Sequence, residues 1–111
     1  MALFPFIIVN RGGSAYVVSS SVNVTTEAVV YSFPPRSFAN RSYIGSVYVE
    51  VAQAVPDGTT DTLPIVFETN GVQQEVTTYN GAALTVANLP GTGVYEFFYN
   101  SRTNRLQIMG V

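Results

Sequence analysis

Apolar and polar residues alternate with a period of two along most of this chain and almost nowhere recur at the three-to-four spacing of a helix. Successive side chains of a strand point to opposite faces, so the pattern predicts half-buried strands with β-branched and aromatic residues turned inward. Between 15 and 24, Tyr16, Val18, Val22 and Val24 share one face with Ser20, while Val17, Ser19, Ser21 and Asn23 share the other, which predicts one strand. Residues 28 to 33 bring Val29, Tyr31 and Phe33 together, and Pro34-Pro35 then removes two backbone donors and ends the ladder. In the longest run, 43 to 55, Val47, Val49, Val51 and Val55 face one way and Ser46, Tyr48 and Glu50 the other, as in a central strand.

Turn chemistry links these runs. Pro56-Asp57-Gly58 marks a reversal, with Pro pre-set for a first corner and Gly free to take positive φ. Asn70-Gly71 predicts a hairpin between 65–69 and 72–77, because a type I′ turn needs positive φ at both central residues. Pairing Thr69 with Val72 sets Glu68 against Gln73 and Ile65 against Val76, so polar meets polar and apolar meets apolar. A second Asn80-Gly81 predicts a strand over 82–86, and 88–93 reads as a loop. The turn Ser101-Arg102-Thr103-Asn104 predicts a last hairpin between 94–100 and 105–110, with Asn100 on Arg105, Tyr99 on Leu106 and Phe97 on Ile108. About seven to eight short strands with no crossover helix predict an all-β fold, an antiparallel β-sandwich of immunoglobulin-like or jelly-roll type, as a single domain over 1–111.

Composition changes this picture in three ways. A chain of 111 residues buries about 65% of its extended surface, enough for one core, and with no cysteine that core has no disulfide to brace it. Charged residues are 11% of the chain against about 25% in ordinary soluble domains, so part of the surface is expected to be covered by partners. The net charge of -2, with five basic residues that are all arginine and spread from Arg11 to Arg105, leaves no footprint for nucleic acid. The opening residues have no basic stretch before their apolar run and are interrupted by Pro5, so no signal peptide is expected; no apolar run approaches the roughly 20 residues of a membrane helix, so no membrane partner is expected either.

With no His, Cys or Lys, chemistry is limited to carboxylates and hydroxyls. Glu68 and Glu75 are conceivable as a glycosidase-like pair, but in the expected register they are not opposite each other and suit a solvated outer face. Asp57 and Asp61 lie in a Gly-containing turn that lacks the oxygen-ligand pattern of a calcium loop. Asn23-Val24-Thr25 and Asn40-Arg41-Ser42 match the glycosylation pattern by chance. The reading is therefore of no catalytic residue, no metal, no cofactor and no small-molecule substrate. Recognition by surface is expected instead. Leu3, Phe4, Phe6, Ile7, Ile8 and Val9 precede a Gly12-Gly13 hinge, so 1–13 forms either a strand of the same domain or an arm that adds to a neighbour's sheet edge. The candidate interaction residues are Phe4, Phe6, Ile8 and Arg11 in that segment, with Arg36, Phe38 and Arg41 in the loop after Pro34-Pro35, a composition enriched at interface hot spots.

The opening Met1-Ala2-Leu3-Phe4-Pro5-Phe6-Ile7-Ile8-Val9-Asn10, the all-β middle and the closing stretch from Tyr95-Glu96-Phe97-Phe98-Tyr99-Asn100 through Arg105-Leu106-Gln107-Ile108 resemble the small auxiliary capsid proteins of crAss-like tailed bacteriophages. The resemblance implies a β-sandwich made in the bacterial host cytoplasm and carried on the capsid exterior of the virion. It would bind the major capsid protein or another virion protein, or copies of itself as a homo-oligomer. A tail, baseplate or head-fibre component uses the same physics. A non-viral carbohydrate-binding module is the alternative of another class, with Tyr31, Tyr48 or Tyr79 as a stacking platform, although the chain has no Trp.

Overall fold

Where β-branched and aromatic residues alternate with polar ones, the backbone is extended and paired. This is seen in the computed structural model, which describes residues 15–35, 37, 43–89 and 91–109. The strands are β1 (Ala15–Val18), β2 (Ser21–Val24), β3 (Val29–Ser32), β4 (Ile44–Val51), β5 (Ile65–Thr69), β6 (Val72–Thr77), β7 (Gly93–Asn100) and β8 (Arg105–Ile108). A 3-10 turn at Val86–Asn88 is the one helical piece among the described residues. All eight strands join one sheet in the order β1-β4-β7-β8-β6-β5-β3-β2.

The sheet is mixed, which corrects the antiparallel expectation. Pairs β2·β3, β4·β7, β5·β6 and β7·β8 are antiparallel, whereas β1·β4, β3·β5 and β6·β8 are parallel. Turn residues specify only the hairpins between strands adjacent in sequence. Each parallel pair instead joins strands separated by at least one other strand, so no turn signal announces it.

The sheet must also be curled. Laid flat, eight strands would hold their outer members about 34 Å apart at about 4.8 Å per spacing. Yet the outer members, β1 and β2, are separated in sequence by Ser19 and Ser20 alone. The three Cα steps from Val18 to Ser21 reach at most about 11 Å. The stretch 15–24 is therefore one crossing segment that belongs to both margins, not the single strand expected. Ser19 N–H donates to Glu50 O at 2.9 Å on the β4 side, and Ser20 N–H donates to Ser32 O at 2.8 Å on the β3 side. The change of partner also changes the inward parity: Val17 and Ser19 are buried before it, and Val22 and Val24 pack on the core after it. Tyr16 and Val18 thus lie on the outside, opposite to the face shared by Val22 and Val24.

Both local hairpins have the registers that their side chains demand. Thr69 pairs with Val72 and Glu68 with Gln73, around Asn70 (φ 52) and Gly71 (φ 78). Asn100 pairs with Arg105, Tyr99 with Leu106 and Phe97 with Ile108. Residues 82–86 do not form the expected strand. Leu84 N–H donates to Val76 O at 3.1 Å and its carbonyl accepts from Ile65 N–H at 2.8 Å, so the segment bridges the ends of β6 and β5 and drives the buried Leu84 into the core. The 3-10 turn comes next, closed by Asn88 Oδ1 accepting from Thr85 N–H at 3.1 Å.

The core fills the concave side of the sheet. Val29, Tyr31 and Phe33 from one side meet Val47, Val49 and Val51 from the other, with Phe67, Phe97, Tyr99, Leu106 and Ile108 between them. Phe67 is the hub: its ring meets those of Tyr31, Phe33 and Phe97 edge-on at centroid distances of 6.2, 4.9 and 5.5 Å. The strand β4 ends at Val51, short of Val55, which nevertheless packs against the core from the following loop.

Candidate functional site

The residues singled out from sequence fall into four groups. Phe4, Phe6, Ile8, Arg11, Arg36, Phe38 and Arg41 lie outside the described residues, as does segment 1–13. Glu68 pairs with Gln73 and Glu75 with Val66, so the two carboxylates are offset on the outer face, and Glu75 bonds Arg105 at 3.2 Å. Among the described residues no group of three or more acidic, His or Cys side chains is arranged to hold a metal ion, Asp57 and Asp61 included. Tyr31 is a core residue with 1% exposure, so it offers no stacking platform; its hydroxyl donates to Gln53 O at 3.3 Å. Tyr48 is half-buried on the outside of β4, and Tyr79 is exposed just beyond β6.

The feature that sequence reading missed is the convex side of β1, β4, β7 and β8. Inward Val47, Val49 and Val51 on β4, Phe97 and Tyr99 on β7, and Leu106 and Ile108 on β8 leave the alternate residues outward. One outward row runs Tyr16, Tyr48, Glu96. Met109 extends it, because its N–H donates to Glu96 O at 2.8 Å. On one side lies the row Val18, Glu50, Val94; on the other lie Ser46, Phe98, Gln107 and then Ile44, Asn100, Arg105.

Exposed large apolar side chains concentrate here. The described residues contain six of them, Ile44, Val72, Tyr79, Val94, Phe98 and Met109, with exposures from 37% to 66%. Four stand on this face, and Tyr79 borders it, its carbonyl accepting from Gln107 Nε2 at 3.4 Å. Only Val72 is elsewhere. The opposite half of the sheet turns mostly polar residues outward: Ser21 and Asn23 on β2, Ser32 on β3, Glu68 on β5, Gln73 and Glu75 on β6. Strand and row spacings give the whole face, polar positions included, a footprint of about 15 by 20 Å, or roughly 300 Å².

Electrostatics on this face are acidic. The Tyr16 hydroxyl donates to Glu50 Oε1. That hydrogen bond holds the phenol above its ordinary pKa, with desolvation and the carboxylate charge acting the same way. Glu96 lies between Tyr48 and Met109, half-buried. In the sequence the signal was present as outward alternation, Val94-x-Glu96-x-Phe98, but it is legible as a surface only once β7 is known to lie beside β4. The chain matches no family model, no curated protein and no solved structure.

Proposed function

We propose that this chain is a virion structural protein, an auxiliary protein that docks on the outside of a tailed-phage capsid and stabilises the shell. The observation that carries the reading is the segregation of exposed apolar side chains onto one face of the sheet, with Ile44, Val94, Phe98 and Met109 outward on β4, β7 and the end of β8. A chain with 11% charged residues and no His, Cys or Lys is suited to recognition by surface, and the resemblance to auxiliary capsid proteins of crAss-like phages supplies the setting. On this reading the curled sheet serves as the sandwich frame of such proteins. The mechanism is linkage: a protein that binds the assembled shell and not free subunits adds its binding free energy to shell stability, about RT ln(1 + [L]/Kd) per site. At less than half of the roughly 800 Å² that each partner contributes to a standard interface, the face binds weakly alone and gains from many copies on one shell.

The test mixes purified protein with heads of a crAss-like phage stripped of their own auxiliary proteins. Saturable co-sedimentation and a higher head-rupture temperature are expected, both lost in a folded Val94→Ser/Phe98→Ser variant. A folded wild-type protein that stays in the supernatant defeats the proposal.

One arrangement favours a second reading, a carbohydrate-binding module: Tyr16 and Tyr48 are register partners beside Glu50 and Glu96, aromatic faces next to acceptors for sugar hydroxyls. Glycan-array binding that disappears in Tyr48→Ala while head binding is absent supports this reading over the first.

A further inference from the structure

We infer that the outer face of β1, β4, β7 and β8 selects a protein surface that presents arginine or lysine among aliphatic side chains, and disfavours a second copy docked by the same face. The inference rests on the proposed role of this face in docking.

Its basis is the placement of charge. All seven side-chain carboxylates of the chain, Glu27, Glu50, Asp57, Asp61, Glu68, Glu75 and Glu96, lie among the described residues, as do two of its five arginines, Arg102 and Arg105. Two of those carboxylates stand within the apolar face: Glu96 is flanked by Tyr48 and Met109, and Glu50 by Val18 and Val94. Arg105 at the margin bonds Glu75, 3.2 Å away and off the face. The partner that Glu50 finds on the face is the neutral Tyr16 hydroxyl.

A partner that covers this face therefore removes water from two carboxylates, which is unfavourable unless it brings charge-assisted donors of its own. Arginine meets the demand best, because its planar fork bonds a carboxylate while its flat faces lie on Tyr48 or Phe98. A purely aliphatic partner brings neither carboxylate a charge-assisted donor. A second copy docking by the same face places four carboxylates in one interface, two from each copy, so self-association through it is suppressed.

Two double variants separate local from global charge. Glu50→Gln/Glu96→Gln keeps the acceptors for Tyr16 but neutralises the face; Asp57→Asn/Asp61→Asn changes net charge equally in the loop after β4, outside the rows of the face. For stripped phage heads, the face variant is expected to lose at least 10-fold in affinity and much of its salt dependence, and the loop variant to stay within about 2-fold of wild type. Equal losses, or tighter binding by the face variant, overturn the inference while leaving capsid docking standing. If wild type does not bind heads, docking there fails on its own, and retention on agarose bearing phenylpropylamine decides the inference. Wild type and loop variant should elute later than the face variant; co-elution of all three overturns it. Sedimentation equilibrium closes the last route. A wild-type dimer dissolved by Val94→Ser/Phe98→Ser would show that the face takes a second copy, including through the 1–14 segment, whose one charged residue is Arg11.

Discussion

Replacing Ser19 by Ala tests how the crossing segment is fastened to the loop that follows β4. Ser19 is 4% exposed, and its hydroxyl donates to Gln53 Oε1 at 2.5 Å and accepts from Ala52 N–H at 2.9 Å. Gln53 Nε2 returns a bond to Ser19 O at 3.1 Å, so the side chain and backbone of one residue hold the loop that follows β4. Removing the hydroxyl abolishes two hydrogen bonds at a net cost of about 1 kcal/mol each, or about 2 kcal/mol in all. For a two-state domain of this length that lowers Tm by roughly 9 °C. Ser20→Ala is the internal control. Its hydroxyl makes one exposed bond, to Ser32 O at 3.1 Å, so it should cost about 0.5 kcal/mol or less. Urea unfolding followed by circular dichroism measures both, and a Ser19→Ala/Gln53→Ala cycle should return a coupling of about 1 kcal/mol. If Ser19→Ala and Ser20→Ala have the same midpoint, the buried hydroxyl does not hold the crossing segment to that loop and the reasoning fails.

The interior yields three further expected outcomes. Phe67→Ala, at the hub of the aromatic cluster, should lose about 3 to 5 kcal/mol in the same urea assay, and a loss below about 1.5 kcal/mol would mean that the rings around it do not share one packed core. Thr69→Val should raise stability by about 1 kcal/mol, because the buried Thr69 Oγ1 finds no hydrogen-bond partner among the described residues and its methyl counterpart needs none; a decrease would reveal a bonded hydroxyl. Burial raises the phenols of Tyr31, Tyr43 and Tyr99, the last to about 12. A raised acid binds its proton more tightly when folded, so the associated stability is complete below the unfolded phenol pKa of about 10 and is lost as pH climbs toward about 12. Phenolate absorbance and circular dichroism should change together in that window, and ionisation of the buried phenols with the fold intact would contradict the assignment.

The parts of the fold legible in the sequence are those that short-range chemistry controls. Asn70-Gly71 and the 101–104 turn fix two hairpin registers, because a turn type and a matching cross-strand face leave no second solution. Tyr31 and Phe67 come side by side only through the parallel β3·β5 pair, whose partners Val29 and Ile65 are far apart in sequence. The serines at 19, 20 and 21 are neutral to periodicity, so neither the change of partner nor the reversal of inward parity left a mark. Asn80-Gly81 is a true turn, with Gly81 at φ 92, but the segment after it is placed by Leu84 finding the core and not by strand pairing. The apolar outer face was hidden for the same reason as the parallel pairs. Val94 and Phe98 are ordinary outward residues of one strand until β4 brings Tyr48 and Ile44 beside them.

Because β1 and β2 are consecutive pieces of one segment, the order of events in folding is constrained. Pairs β2·β3, β5·β6 and β7·β8 can zip within their own hairpins, whereas Ala15 must find Val47 beyond the intervening β2 and β3, and that match cannot persist unless Ser19 and Ser20 are already drawn across the gap. Closure is thus expected late, and the slow step should register at residues 15–18. A nick between 18 and 21 would part the two border strands, which no pairing joins, whereas one in the 101–104 turn would cut a hairpin whose β7·β8 pairing still holds its ends together.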